Sequence, residues 1–538
     1  MHHPSSRQPI GLGRVLAGLG LALVALLGGA FAQGKPTTIT FAQSVAVTDL
    51  GPAYGAFLNY PAGYEVGYVI YDRLVTFNAD LKIVPQLATS WETSSDGLTW
   101  TFHLRHGVKF QDGTPFDAQA VKFNIERMMD SKRNTTNRPL WDPIAGAKVV
   151  DPYTVQIITN KPYAMLLNTL AHGSGAMVSP TAIEKNGDKS MTTKPVGTGP
   201  YMLDSFIPGQ EVVLKAFPDY WGGKPPVDRL VFKYVPDAST RVAALRAGQV
   251  DVIDDIPPQL AVTLKGDPNI SLIAKPGLRP MGFAINTNHA PLDNLDVRQA
   301  LNYAVPRDAI AKNIFLGYAQ AADSPLAFNT FGHQSIGGFS YDPAKAKQLL
   351  AAAGWTPGPN KMLQKDGKTL TLSMYTPEGL FPGDVDVAQV VAKSLEDVGI
   401  KVNITKIDKG GYWDYLRQPL DQLKWDIAMF GFNPSNGAGT YQMDSLFVSN
   451  PNPQQPPVAW NITRFDNSQV DSLVNQAKVT IDPQKRADLL GQAEKIVWND
   501  APYIWLQVNE SISATRSNVA GVEVWPTLFT IVRDAHLK

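Results

Sequence analysis

The sequence predicts a mixed α/β protein of more than one domain. Three observations carry this: stretches that alternate apolar and polar residues as half-buried strands do, capped segments with helical spacing, and a length of 538 residues, beyond one ordinary hydrophobic core. Residues 197–255 show the first two together. Two strand-like runs, 201–206 and 211–217, flank Pro208-Gly209, which supplies the fixed φ and the positive φ of a tight turn. Residues 229–235 alternate inward and outward. Asp237 or Ser239 then caps a helix with Val242 and Leu245 on one face that stops at Gly248, and a further strand begins at Val250.

The other elements follow in chain order. Residues 37–42 read as a strand and 44–62 as an irregular loop. Residues 65–75 place Val66, Val69, Ile70 and Leu74 at helical spacing. Leu98, Trp100, Phe102 and Leu104 alternate with polar residues, so that sheet packs one face and shows the other to water. Asp117 caps a helix with Val121, Ile125 and Met128 along its stripe. Residues 148–158 read as a hairpin turning at Asp151-Pro152, and 185–194 as a polar loop. Residues 281–287 form a short apolar strand at a crossing between two lobes. Capped helices then dominate: one from Asp296, one from Pro306 to Gly317, one from Asp342-Pro343 to Gly354, one over 387–398, one over 469–478 and one from Asp482-Pro483. Strands are expected at 400–407, 426–430 and 503–508, the last returning the chain to the first lobe.

Composition limits the function classes. The 48 Lys and Arg balance the 48 Asp and Glu, so no electrostatic footprint for nucleic acid is present. Arg7 and Arg14 precede an apolar run from Val15 to Leu27, and Ala30-Phe31-Ala32 has the form of a signal-peptidase site. Cleavage after residue 32 is expected, because the run is short for a bilayer span, and it leaves a net charge of −2. There is no cysteine, so an exported chain has neither disulfides nor a lipid-bearing N-terminal cysteine.

Catalytic motifs are sparse. No H-E-x-x-H, P-loop or G-x-S-x-G occurs. His172-Gly173-Ser174-Gly175 lacks the glycine that a nucleophile elbow needs at 172. His103 and His106, three apart in an expected strand, fall on opposite faces, so no shared metal is expected. Aromatics in loops are the stronger signal. Tyr412, Trp413 and Tyr415 follow Gly410-Gly411, Phe430 and Phe432 precede a polar Asn-Pro-Ser-Asn-Gly turn, and Trp460 lies in a Pro-rich loop. Such residues either grip an organic ligand in a cleft or cap a core. Phe430, on the strand itself, reads as core.

Ordered blocks along the chain carry a resemblance. They are Pro85-Gln86-Leu87-Ala88-Thr89-Ser90-Trp91-Glu92, then Asp96-Gly97-Leu98-Thr99-Trp100, Gly197-Thr198-Gly199-Pro200-Tyr201, Ala244-Leu245-Arg246-Ala247-Gly248-Gln249-Val250-Asp251, and Val297-Arg298-Gln299-Ala300-Leu301-Asn302-Tyr303-Ala304. The chain resembles the extracytoplasmic solute-binding proteins of peptide-type ABC importers. The resemblance implies a two-lobed α/β periplasmic-binding-protein clamp with an extra subdomain inserted in the first lobe. Lobe I takes residues 33–77, 200–287 and 509–538, the insert 78–199, and lobe II 288–508, after a signal peptide at 1–32. It implies a periplasmic, monomeric binding protein that closes by hinge bending and docks on permease and ATPase subunits, with no metal, cofactor or catalysis. The rival classes are a secreted hydrolase and a sensor.

In peptide-binding members the ligand main chain pairs with one extended segment of each lobe, matched here by Asn59-Tyr60-Pro61 and Gly431-Phe432-Asn433. Trp413 and Trp460 are the candidate aromatic wall. This chain departs from the pattern where Ser435 stands in place of the aspartate that takes a peptide's α-ammonium. An unpaired ammonium in a closed cleft costs several kcal/mol, roughly a thousandfold in affinity. A dipeptide binder's carboxylate-binding arginine is likewise replaced by Asp384, Val385 and Asp386. The expected ligand is therefore a longer or blocked peptide, a sugar oligomer, or a cationic solute facing Asp384 and Asp386. Those two aspartates read alternatively as helix-start caps.

Overall fold

The computed structural model describes residues 36–538 except 53–60, 131–137, 453 and 458, and residues 37–538 form one compact unit. Its backbone is an eleven-stranded sheet that runs through two separately cored halves. From one edge the order is Lys401–Asp408, Thr371–Glu378, Ile427–Gly431, Ile270–Ile285, Tyr503–Arg516, Val252–Ile253, Thr38–Gln43, Arg229–Tyr234, Glu211–Ala216 and Tyr201–Ile207, with Ala319–Ala321 added on Tyr503–Arg516.

Two long antiparallel strands join the halves. Ile270–Ile285 has 16 residues and Tyr503–Arg516 has 14. They pair regularly from Ile270↔Arg516 to Pro276↔Glu510, shift register, and resume at Pro280↔Val508 and Gly282↔Trp505. The irregularity absorbs Pro276, Gly277 and Pro280, residues that a continuous ladder rejects. Sequence reasoning expected only the second part of the first strand and the first part of the second. The prolines hide one extension, and the polar run Asn509-Glu510-Ser511 hides the other.

In the first half the 197–255 stretch folds largely as read. The hairpin Tyr201–Ile207/Glu211–Ala216 turns at Gly209 with φ 75°, and Asp237 caps Ala238–Arg246 by accepting the Thr240 N–H at 2.7 Å. A four-stranded antiparallel sheet, ordered Ala88–Thr93, Thr99–Leu104, Thr154–Thr159, Ile144–Asp151, packs with the Asp117-capped helix Ala118–Met129. Trp100, Phe102 and Leu104 are buried there as the alternation requires. The segment expected as a polar loop at 185–194 instead holds the end of Pro180–Asn186, capped by Ser179, and a 3₁₀ turn at Asp188–Thr192. The first helix runs over Ala62–Ile70, earlier than the apolar spacing suggested, and Val75 opens a strand.

In the second half the sheet is covered on both faces. One face carries Phe283, Met374 and Met429 against Val297, Val391 and Leu395 of helices Leu295–Tyr303 and Asp384–Asp397. The other carries Ala428, Phe430, Tyr503 and Trp505 against Met443, Val474 and Trp498 of Gly439–Phe447, Ser468–Val479 and Pro483–Asp500. Odd residues of the crossing strand thus serve one core and even residues the other, the period of two that a strand imposes.

Candidate ligand-binding cleft

The candidate segment begins where strand Ile427–Gly431 ends beside the crossing strands. Gly431 pairs with Met281. A Cβ there would collide with Met281 Sδ and lie 2.9 Å from Arg279 Cγ, so a larger residue would have to displace those two side chains. Phe432 turns onto Tyr441, with ring centroids 5.6 Å apart. Asn433 Nδ2 donates to the Thr527 carbonyl at 3.2 Å, tying the segment to the C-terminal part of the chain.

Ser435 makes the contact that best defines the junction of the halves. Its Oγ lies 3.1 Å from Nε2 of His172, 263 residues away, and Asn168 Nδ2 donates to the Asn436 carbonyl at 3.0 Å. His172 is fully buried. Its Nδ1 accepts the Ser174 N–H, so the neutral ring carries its proton on Nε2, between Ser435 Oγ and the Tyr64 hydroxyl at 3.0 Å. Desolvation, aided by the Arg73 charge, pushes the imidazole down to about 3 and keeps it neutral. Tyr64 in turn stacks on Phe529 at 5.2 Å. Pro61 is the N-cap of the helix that carries Tyr64, and its carbonyl accepts the Tyr64 N–H. Asn59 and Tyr60 lie outside the described residues.

The aromatic wall is continuous. Trp413 meets Phe381, Phe430 and Trp460 edge-on with centroids 6.1, 5.8 and 5.6 Å away. Tyr412, Trp413 and Tyr415, expected in a loop, belong to a short helix, Tyr412–Leu416, that Tyr412 locks to the sheet by donating to the Met429 carbonyl at 2.7 Å. Trp413 touches both cores of this half and Trp460 one of them; both are half-buried, and the Arg417 guanidinium lies 4.7 Å from the Trp460 ring centroid. Phe430 is core, 2% exposed.

The two aspartates separate. Asp384 is buried and accepts N–H groups from Leu380, Phe381 and Val385 at 2.9, 3.2 and 2.8 Å, so its carboxylate serves its own helix start. Asp386 is exposed in the first helical turn. Sequence reasoning missed His172, Tyr64 and Arg279. The first stood in a motif weighed only as a hydrolase remnant, and the last in a Gly-Leu-Arg-Pro run that reads as a loop. Ser174 and His172 do contact each other, at 2.8 Å, but both are buried and Ser174 Oγ also accepts the Trp141 N–H. The opposite-face argument for His103 and His106 fails, because their strand ends at Leu104. Both border a surface groove of about 510 Å³, where His106 stacks on Tyr153. Among the described residues, no cluster of three or more His, Cys, Asp or Glu is placed to hold a metal.

Two cored halves joined by two long crossing strands make a two-lobed clamp. The profile of the bacterial extracellular solute-binding proteins, family 5 (middle region), matches residues 82–454. The glutathione-binding protein GsiB of Salmonella paratyphi A is 35% identical over 518 residues, covering 94% of this chain and 98% of that protein. NikA of Brucella suis, solved with Fe(III)-EDTA, superposes with a TM-score of 0.82 at 27% identity, covering 93% of this chain and all of NikA. The periplasmic binding protein DppA of Helicobacter pylori, solved with the peptide STSA, gives 0.74 at 27%, covering 93% and 98%. The chain belongs to the bacterial extracellular solute-binding proteins, family 5. Its role is that of the substrate-binding subunit of an ABC importer, in a family of binding proteins and not of enzymes.

Proposed function

We propose that the chain captures a γ-glutamyl tripeptide of the glutathione class outside the cytoplasm and carries it, by lobe closure, to its permease. Lobe I comprises residues 33–77, 200–280 and 509–538 with the insert 78–199, and lobe II residues 281–508, because Met281, Phe283 and Ile285 pack in the second half's core and not, as the sequence suggested up to 287, in the first. The ligand lies along Gly431–Asn433 and the Asn59–Pro61 segment, against the Trp413/Trp460 wall. The observation that carries the reading is Ser435. Where peptide binders of this type hold an acid for the α-ammonium, this chain has a neutral hydroxyl already paired with His172 of the other half. In a γ-linked peptide the ammonium sits three carbons from the first amide and not next to it, so an acid at that point is not required. The relatives that bind glutathione support the same choice. A cationic solute is disfavoured, because Asp384 has spent its oxygens on backbone N–H groups.

Thermal melting with glutathione, dipeptides, oligosaccharides and polyamines tests this. A ligand at a hundredfold excess over Kd stabilises the clamp by about 2.7 kcal/mol. Glutathione is expected to shift the melting point. A shift with free dipeptides but none with glutathione would refute the reading.

A further inference from the structure

We propose that the turn between helices Ser468–Val479 and Pro483–Asp500 is a clasp that grips the insert and holds part of the population closed before any ligand binds. The proposal rests on the division into lobes given above and not on the identity of the ligand.

The turn carries Ile481, and its shape is fixed from both sides. Nη1 of Arg486 donates to the Thr480 and Ile481 carbonyls at 3.1 and 3.3 Å. Asp482 caps the next helix by accepting the Lys485 N–H at 2.8 Å. Ile481 packs with the core of the first half and not with the core beneath its own helices. Its seat is the tight turn before strand Thr99–Leu104, where Gly97 has φ 72°. A Cβ at Gly97 would come within 3.2 Å of both Ile481 Cγ1 and Pro162 Cβ, so the isoleucine rests against bare backbone beside a proline ring. Tyr163, next to Pro162, is buried and anchors this side. Its hydroxyl lies 3.0 Å from the Leu140 carbonyl and 2.8 Å from Thr169 Oγ1.

A hydrogen bond fastens the same place. Lys478 is in the last turn of its helix, where a carbonyl finds no partner along the helix. The Ala164 N–H, from the insert, donates to that carbonyl at 3.1 Å. The Lys478 ammonium pairs with Asp444 at 2.8 Å, so the helix end is also held to Gly439–Phe447. The seam continues there: Ala438 is buried in the core of the first half, and a Cβ at Gly437 would lie 3.6 Å from Leu81 Cδ1 and 3.8 Å from Phe77 Cε1. Every one of these contacts joins lobe II to lobe I or its insert, and none uses residues 431–433. Their free energy belongs to the closed form with or without ligand, so it biases the open–closed equilibrium itself.

Single-molecule fluorescence transfer on the full chain tests this. The sequence has no cysteine, so Lys148→Cys and Lys347→Cys, both at exposed positions, place one dye on the insert and one on lobe II. Without ligand, the protein with native Ile481 is expected to show a closed population beside the open one. Ile481→Ser should lower the closed-to-open ratio roughly three- to tenfold, the factor for losing a half-buried isoleucine contact, while Ile481→Val stays near the native ratio. A residue that only stabilised its own lobe would lower the melting point and leave the ratio unchanged, which would overturn the proposal. Absence of any closed population in the ligand-free native protein would overturn it as well. If Ile481→Ser does not fold, Ile481→Ala takes its place with the same expectation. The readout needs no ligand, so a failure of glutathione to bind would refute the ligand class and leave this result standing.

Discussion

Replacing Ser435 by alanine should loosen closure of the clamp without unfolding either lobe. The hydroxyl is 3.1 Å from His172 Nε2, and that nitrogen keeps a second partner, the Tyr64 hydroxyl, at 3.0 Å. Its loss therefore leaves no buried donor without an acceptor, and the cost is the net worth of one neutral hydrogen bond, about 0.5–1.5 kcal/mol. Because the bond joins the lobes, that energy falls on the open–closed equilibrium and weakens ligand binding by roughly two- to twelvefold. The Asn168–Asn436 contact remains, so closure is biased and not abolished. His172→Ala is the contrast. It strips partners from Tyr64, Ser174 and Ser435 and removes a ring packed inside the first lobe, so its effect should reach folding stability as well. The assay is calorimetry for Kd, with a fluorescence-transfer pair, one dye on each lobe, for the fraction closed at saturation. The reasoning is refuted if Ser435→Ala binds like wild type with an unchanged closed fraction, or if its ligand-free melting point falls as far as that of His172→Ala.

Three further outcomes are expected. Ser435→Asp should improve binding of dipeptides with a free ammonium, although the new carboxylate also has the His172 N–H within reach; unchanged dipeptide affinity would sink the equivalence of Ser435 with the ammonium-binding acid. Trp413→Ala should cost folding stability, about 3 kcal/mol for a half-buried aromatic touching both cores, and Trp460→Ala less, since it packs against one core only; a larger melting loss for Trp460→Ala would refute that ranking. Burial pushes Glu494 up to about 8 from an ordinary value near 4.5. Between those values the folded chain holds a proton that the unfolded chain has lost, so this group's contribution is favourable at low pH and falls as pH rises toward 8, by a few kcal/mol. Glu494→Gln should flatten that fall in a melting-point series from pH 5 to 8.5. Part of the slope will persist, since burial also raises Asp254 and Glu65; wild-type and variant curves that run parallel would count against it.

The elements that sequence made legible are those whose signal is local. Asp117, Asp237, Asp342 and Asp482 each accept an N–H three residues on, a cap that four consecutive residues encode. Trp100 and Phe102 declare their buried face by alternation alone. The misreadings have a common cause in tertiary contact. Pro276 and Pro280 belong to a strand because a register shift in the partner strand accommodates them. The polar residues 509–511 belong to one because Pro276 and Lys275 lie opposite Glu510 and Ser511. In sequence Asp384 fits a ligand contact and a helix-start cap alike, and only the three backbone N–H groups it accepts decide between them.

The same distinction separates the family from the substrate. Ordered local blocks identify a solute-binding clamp, while the choice of solute rests on pairs far apart in the chain. Serine at 435 has little meaning as an isolated departure from a pattern. Opposite an imidazole held neutral by burial, it has one: a carboxylate there would take the Nε2 proton's direction for itself and draw a charge into the seam between the lobes. Serine lets that seam close with a neutral bond. A ligand that suits this seam presents no ammonium near residue 435.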